Sequence, residues 1–96
     1  MLFAVELSHD AIEDLDAAFE YYNEASYGLG YDFINVIDNY LNRISKLPTA
    51  SAIRYKNVRV KPIEIFPFTI YYIIQEDSKI LVLRIFNTWQ KPFWKD

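Results

Sequence analysis

A chain of 96 residues that is 52% hydrophobic and 18% aromatic has the material for one packed core, and it reads as a single domain over residues 1–96. That content excludes intrinsic disorder. The absence of cysteine excludes disulfides and thiolate metal sites, and no apolar run approaches the roughly 18 residues of a membrane span. The opening Met1-Leu2-Phe3-Ala4-Val5-Glu6 is not a basic, then apolar, leader, so the cytoplasm is the expected compartment. The net charge of −3 is unevenly divided: residues 1–47 carry nine acids and two bases, residues 48–96 eight bases and four acids. A basic second half suggests a partner for it; the plainer reading is a solvated acidic helix followed by bases scattered on strands.

Phe3 to Leu7 alternates as a short strand. Ser8 and Asp10 are candidate N-caps, and Asp10 with Glu13 resembles a capping box. Ile12, Leu15, Phe19 and Tyr22 recur at helical spacing and predict one buried stripe, with the acids Asp14, Asp16, Glu20 and Glu24 largely off it. Gly28-Leu29-Gly30 stops this helix. A second helix follows, with Phe33, Ile37, Tyr40, Leu41, Ile44 and Leu47 as its apolar face and Pro48 at its end.

After Thr49-Ala50-Ser51 the period changes. Ile53 to Lys61 mixes apolar and basic residues around a turn at Asn57, and Ile63–Phe66 and Phe68–Ile74 are rich in Ile, Phe and Tyr, with a turn or bulge expected at Pro67. Glu76-Asp77-Ser78-Lys79 reads as a hairpin turn leading into the strand Ile80–Phe86. On that strand the all-aliphatic set Leu81, Leu83 and Ile85 is expected under the helices, which leaves Ile80, Val82, Arg84 and Phe86 on the open face. The predicted class is α+β: an N-terminal strand, then a helical hairpin on one face of a mainly antiparallel sheet of four to five strands. Nothing in the chain covers the other face, whose apolar residues would form a patch that something else covers in part. The alternative is that Trp89 and Trp94 fold back as a lid.

In this order the segments resemble the RelE/ParE family of small toxins from bacterial toxin–antitoxin pairs, and the ParE-like branch in particular. The resemblance rests on the N-terminal strand, the acidic helix ending in Glu24-Ala25, Gly28-Leu29-Gly30 with Phe33 beyond, Ile44 to Pro48, and Arg59. It continues through Phe66-Pro67-Phe68 with Ile70 and Tyr72, and Leu83 through Trp94. It implies a toxin neutralised by a cognate antitoxin in a hetero-oligomer, with DNA gyrase as the target in the ParE-like branch or mRNA on the ribosome in the RelE-like branch.

Cleaving RNA through its 2′-hydroxyl needs a base, cations for the phosphorane and an acid for the leaving oxygen. The nuclease branch supplies these with Arg, Lys and a late Tyr. Here Thr69 stands where an Arg is expected, Asn87 and Thr88 open the tail, and Trp94 occupies the place of the Tyr, while Arg59 and Lys61 match a basic pair. The sequence therefore leans away from an enzyme. His9, the only histidine, has no ligand cluster around it and reads as a surface residue at a helix start, and no metal or cofactor is expected. The target-binding candidates are Arg59, Lys61, Arg84, Asn87, Gln90, Lys91 and Trp94. The antitoxin-binding candidates are Leu15, Phe19, Tyr22, Tyr40 and Tyr71. A RelE-like nuclease and a non-toxic antitoxin binder are the alternatives.

Overall fold

The computed structural model describes residues 2–95. Its elements run β1 (Ala4–Leu7), α1 (His9–Ala25), α2 (Leu29–Lys46), a 3-10 turn (Pro48–Ala50), β2 (Ile53–Tyr55), β3 (Val58–Pro62), β4 (Phe68–Gln75) and β5 (Lys79–Asn87). The five strands form one sheet in the order β1-β5-β4-β3-β2. β1 runs parallel to β5 and all other pairs are antiparallel. The helical hairpin lies on one face, as the hydrophobic periods predict. No helix among the described residues is long and apolar enough to cross a membrane.

The main core lies between hairpin and sheet. Phe33, Ile37, Ile70, Tyr72, Ile80, Val82 and Ile85 are fully buried there, each side chain contributing about 1.5–3 kcal/mol of burial. The second helix presents its stripe as predicted through Ile44, but Leu47 caps that helix and is mostly exposed. The first helix is rotated from the expected stripe: Ala11 and Ala18 are buried, Leu15 and Tyr22 flank them, and Ile12 points outward. Small residues allow this helix a close approach, and a Cβ on Gly30 would sit 2.6 Å from the Phe19 carbonyl oxygen. Gly28 has φ 86°, the left-handed region that favours glycine, and the Asn23 side chain accepts the N–H groups of Gly28 and Gly30.

Two local expectations are corrected. The N-cap of α1 is Ser8, whose hydroxyl accepts the Ala11 N–H at 3.0 Å, so Asp10 and Glu13 form no capping box. On β5 the faces change over along the strand. Tyr72 pairs with Val82 but Tyr71 pairs with Arg84, so Leu83 is an extra residue in a β-bulge. Ile80, Val82 and Ile85 therefore share the helix side, whereas Leu83 and Phe86 pack on the opposite face. A strict period of two cannot anticipate the change.

Between β3 and β4 the chain turns through Ile63–Pro67. Phe66 is driven into the core against Tyr22 and Phe33, with ring centroids at 4.8 and 5.2 Å. That insertion leaves Ile65 with φ 76° and 85% exposed, an unfavourable conformation for a β-branched residue.

Candidate functional site

The functional candidates fall into three regions, set by where the sheet is covered. β1 accompanies β5 only from Lys79 to Val82. Ser8 then ends the pairing: its N–H donates to the Val82 carbonyl at 2.9 Å and its hydroxyl to the Leu83 carbonyl at 2.8 Å. Further along that edge a carboxylate takes over the role of a strand. Asp14 Oδ2 accepts the backbone N–H of Ile85 at 3.0 Å and Arg84 Nε at 2.8 Å, while Oδ1 accepts Arg84 Nη2 at 2.8 Å. The guanidinium also lies 4.3 Å from the centre of the Phe86 ring. The hydrogen bond to Asp14 raises the pKa of Arg84, against the opposing effect of burial. Arg84 is thus a held cation that shapes the β5 edge.

Beside this pair runs an open groove of about 640 Å³ between α1 and the start of the tail, lined by Ala17, Ala18, Tyr21, Tyr22, Pro67, Asn87, Trp89 and Gln90 among others. Asn87 and Gln90 build a compact turn: Asn87 Oδ1 accepts the Trp89 N–H at 2.9 Å, and the Asn87 N–H donates to Gln90 Oε1 at 3.3 Å. The turn holds Trp89 outward, 86% exposed. Burial and the neighbouring Tyr21 hydroxyl raise the pKa of Tyr22 on the groove wall. Lys91 is exposed just beyond the turn.

The face of the sheet away from the helices is covered by the chain itself, contrary to the expectation of a bare face. Trp94 stacks on Tyr55 with centroids 5.0 Å apart and planes 3° from parallel, and meets Tyr71 edge-on at 5.6 Å. Beneath lie Val58, Tyr71 and Phe86, all buried. Burial raises the pKa of the Tyr71 phenol. Of the two tryptophans, Trp94 folds back as a lid and Trp89 does not.

Arg59 and Lys61 are remote from that aromatic face. They pair in register with Tyr72 and Ile70, whose side chains lie in the core beneath the helices. Arg59 Nη1 donates to the carbonyls of Ser51 and Thr49 at 2.8 and 3.2 Å, and Lys61 Nζ lies 5.7 Å from the centre of the Tyr40 ring. The site candidates therefore do not converge: Lys61 sits with Tyr40, Arg59 with the Ser51 and Thr49 carbonyls, Trp94 with Tyr71, and Asn87 and Gln90 with Tyr22.

The residues proposed for the antitoxin are drawn largely into the protein's own packing. Tyr40 and Tyr71 are buried, Leu15 and Tyr22 border the main core, and Phe19 packs edge-on to Tyr31 at 4.9 Å. Sequence reasoning missed Asp14, which looks like any other acid on α1. It also missed Tyr21, which stands exposed on that helix, and the stacking of Tyr55 on Trp94, 39 residues away. Exposed His9 pairs with Glu13 at 2.7 Å. Among the described residues no group of three or more His, Cys, Asp or Glu side chains is placed to hold a metal ion.

The helical hairpin on a mostly antiparallel sheet is shared with chains of solved toxin–antitoxin systems. The chromosomal ParDE system of P. aeruginosa contains a chain that superposes with a TM-score of 0.78 at 19% identity, covering 90% of this chain and 96% of that one. The RelBE2 toxin–antitoxin complex of Mycobacterium tuberculosis superposes with a TM-score of 0.58 at 13% identity, covering 91% and 99%. At these identities both likenesses are of fold. No curated protein matches the chain in sequence. Residues 5–92 match the family described as the ParE toxin of the type II toxin–antitoxin system parDE, and the chain belongs to that family.

Proposed function

We propose that this chain arrests bacterial growth by binding DNA gyrase in the cytoplasm, without cleaving RNA, and that a cognate antitoxin neutralises it. Membership of the ParE toxin family supports the gyrase reading, and the structural likeness to chains of toxin–antitoxin systems supports an antitoxin partner. One observation carries the preference for binding over cleavage: the groups that RNA cleavage would need do not meet. Arg59 is engaged by backbone carbonyls on the helix side, Arg84 by Asp14, and Trp94, in the place of a proton-donating Tyr, is stacked on Tyr55. Two cations held apart, with an indole in place of a proton donor, favour binding over the transfer.

What the geometry does offer is a presented contact surface. Trp89 stands out from the Asn87–Gln90 turn beside the groove, with Lys91 next to it. An exposed tryptophan on a hydrogen-bonded turn is a strong anchor for a protein target. The antitoxin is assigned to the groove and the adjoining face of α1, where it would bury Tyr21 and Trp89 together and so block the target surface. Expression of the chain alone should stop growth with relaxed DNA and intact mRNA, and co-expression of a cognate antitoxin should restore growth. Codon-linked cuts in mRNA would instead support a nuclease.

A further inference from the structure

We propose a second docking surface, sharing no lining residue with the groove beside Trp89, that takes an acidic peptide segment bearing an apolar anchor residue. It is a hollow of about 440 Å³ where the end of α2, the 3-10 turn and the β2–β3 hairpin meet. Arg43, Arg54 and Lys61 line it, and no acidic residue does. Among the described residues the two ion pairs are His9–Glu13 and Arg84–Asp14, so none of these three cations is neutralised by a carboxylate. Arg43 and Lys61 are held over one ring, that of Tyr40, at 4.7 and 5.7 Å from its centre. The ring offsets part of their mutual repulsion, and a bound carboxylate would offset the rest.

The hollow is braced as well as charged. Arg59 fastens its wall through the Ser51 and Thr49 carbonyls, and the Tyr72 hydroxyl donates to the Pro48 carbonyl at 2.7 Å. Its rim carries an apolar side chain that the fold leaves in water, Leu47 at 61% exposure, and Ile65 lies across Tyr40 and Arg43 at 85% exposure in its unfavourable backbone conformation. Cations above an apolar rim match carboxylates flanking an apolar residue. A phosphate backbone, with nothing apolar to seat in the hollow, matches it less well. Glu64, the nearest acid in sequence, lines an adjoining cleft that shares Tyr40 and Arg43 with the hollow, and it forms no ion pair with Arg43 among the described residues.

The test uses the purified chain and a fluorescein-labelled Glu/Leu peptide, with three comparison probes: a Glu-only peptide, a Lys/Leu peptide and a short single-stranded oligonucleotide. The Glu/Leu peptide should bind best, weaken as salt rises, and lose about tenfold or more in affinity with Arg43→Glu/Lys61→Glu. Amide-shift mapping on the unaltered chain should place the peptide at Leu47, Ala52 and Lys61, so the result does not depend on the variant folding. Equal binding of the Glu-only peptide would overturn the apolar anchor, and preferential binding of the oligonucleotide would replace the peptide by nucleic acid. Self-association abolished by the same substitutions would make the occupant a second copy. Shifts confined to Tyr21 and Trp89 would refute the site. No toxicity enters the assay, so its failure leaves the gyrase reading untouched.

Discussion

The Asp14 carboxylate binds the Arg84 guanidinium through two hydrogen bonds of 2.8 Å and, through the same Oδ2, the backbone N–H of Ile85 at 3.0 Å. One side chain of α1 therefore closes the β5 edge where β1 has ended, and it holds the strand that leads into the tail. The pair is partly shielded, with side-chain exposures of 15% for Asp14 and 31% for Arg84, so its strength should lie between surface and buried values.

Asp14→Ala leaves both a cation and an N–H without a partner. It should cost about 2 kcal/mol in urea unfolding. Arg84→Met removes the cation but leaves the Ile85 N–H bonded and should cost less. The double variant should be less destabilised than the sum of the two, with a coupling of about 1 kcal/mol; strict additivity would mean that the pair is idle.

The two glycines should respond differently to alanine. At Gly30 the new Cβ would collide with helix backbone at 2.6 Å, forcing the hairpin apart for about 1–3 kcal/mol. At Gly28 there is nothing within 4 Å and only the left-handed conformation resists, for about 1 kcal/mol. Thermal unfolding of the two variants gives the order directly.

The tryptophans separate stability from binding. Trp94→Ala uncovers Tyr71, Phe86 and Val58 and should destabilise by about 2–4 kcal/mol with increased dye binding to the exposed face. Trp89→Ala should leave the unfolding curve within about 0.5 kcal/mol of the original, because Trp89 is 86% exposed. It should nevertheless reduce toxicity.

Two phenols make stability fall at high pH. Burial raises the pKa of Tyr71, and burial together with Tyr21 raises that of Tyr22. In the unfolded chain each ionises near its ordinary value of about 10. Above that pH the unfolded state holds fewer protons than the folded state, so stability is complete below about pH 10 and declines as pH rises towards the folded values. Denaturant midpoints between pH 9 and 11 should show this fall, and Tyr71→Phe should make it shallower.

Much of the fold was legible because it rests on local signals. The α2 stripe, Gly28 with Pro48 as stops, and the hairpin turn at Asp77 and Ser78, whose φ values are 60° and 57°, each announce themselves within a few residues. What was not legible depends on partners distant in sequence. On α1, Ala11 rather than Ile12 is in the core, and Phe19 lies close against Gly30, a contact between two helices that no single segment announces. The bulge at Leu83 exchanges the faces of β5, and nothing in Ile80–Phe86 marks the extra residue. For the candidate site, the residue types were readable but their grouping was not. Arg59 and Lys61 reach the helix side because of strand register, and Asp14 is one acid among many until Arg84 meets it.

The proposed mode of action of this ParE-family chain is the binding of gyrase through the surface around Trp89. The most direct test is a supercoiling assay with purified gyrase and purified chain, with total RNA from expressing cells examined in parallel. Inhibition of gyrase should rise with dose and be abolished by Trp89→Ala and by Gln90→Ala in variants that unfold normally, with RNA left intact. Undisturbed supercoiling at concentrations that arrest growth, accompanied by cleaved mRNA, would contradict it.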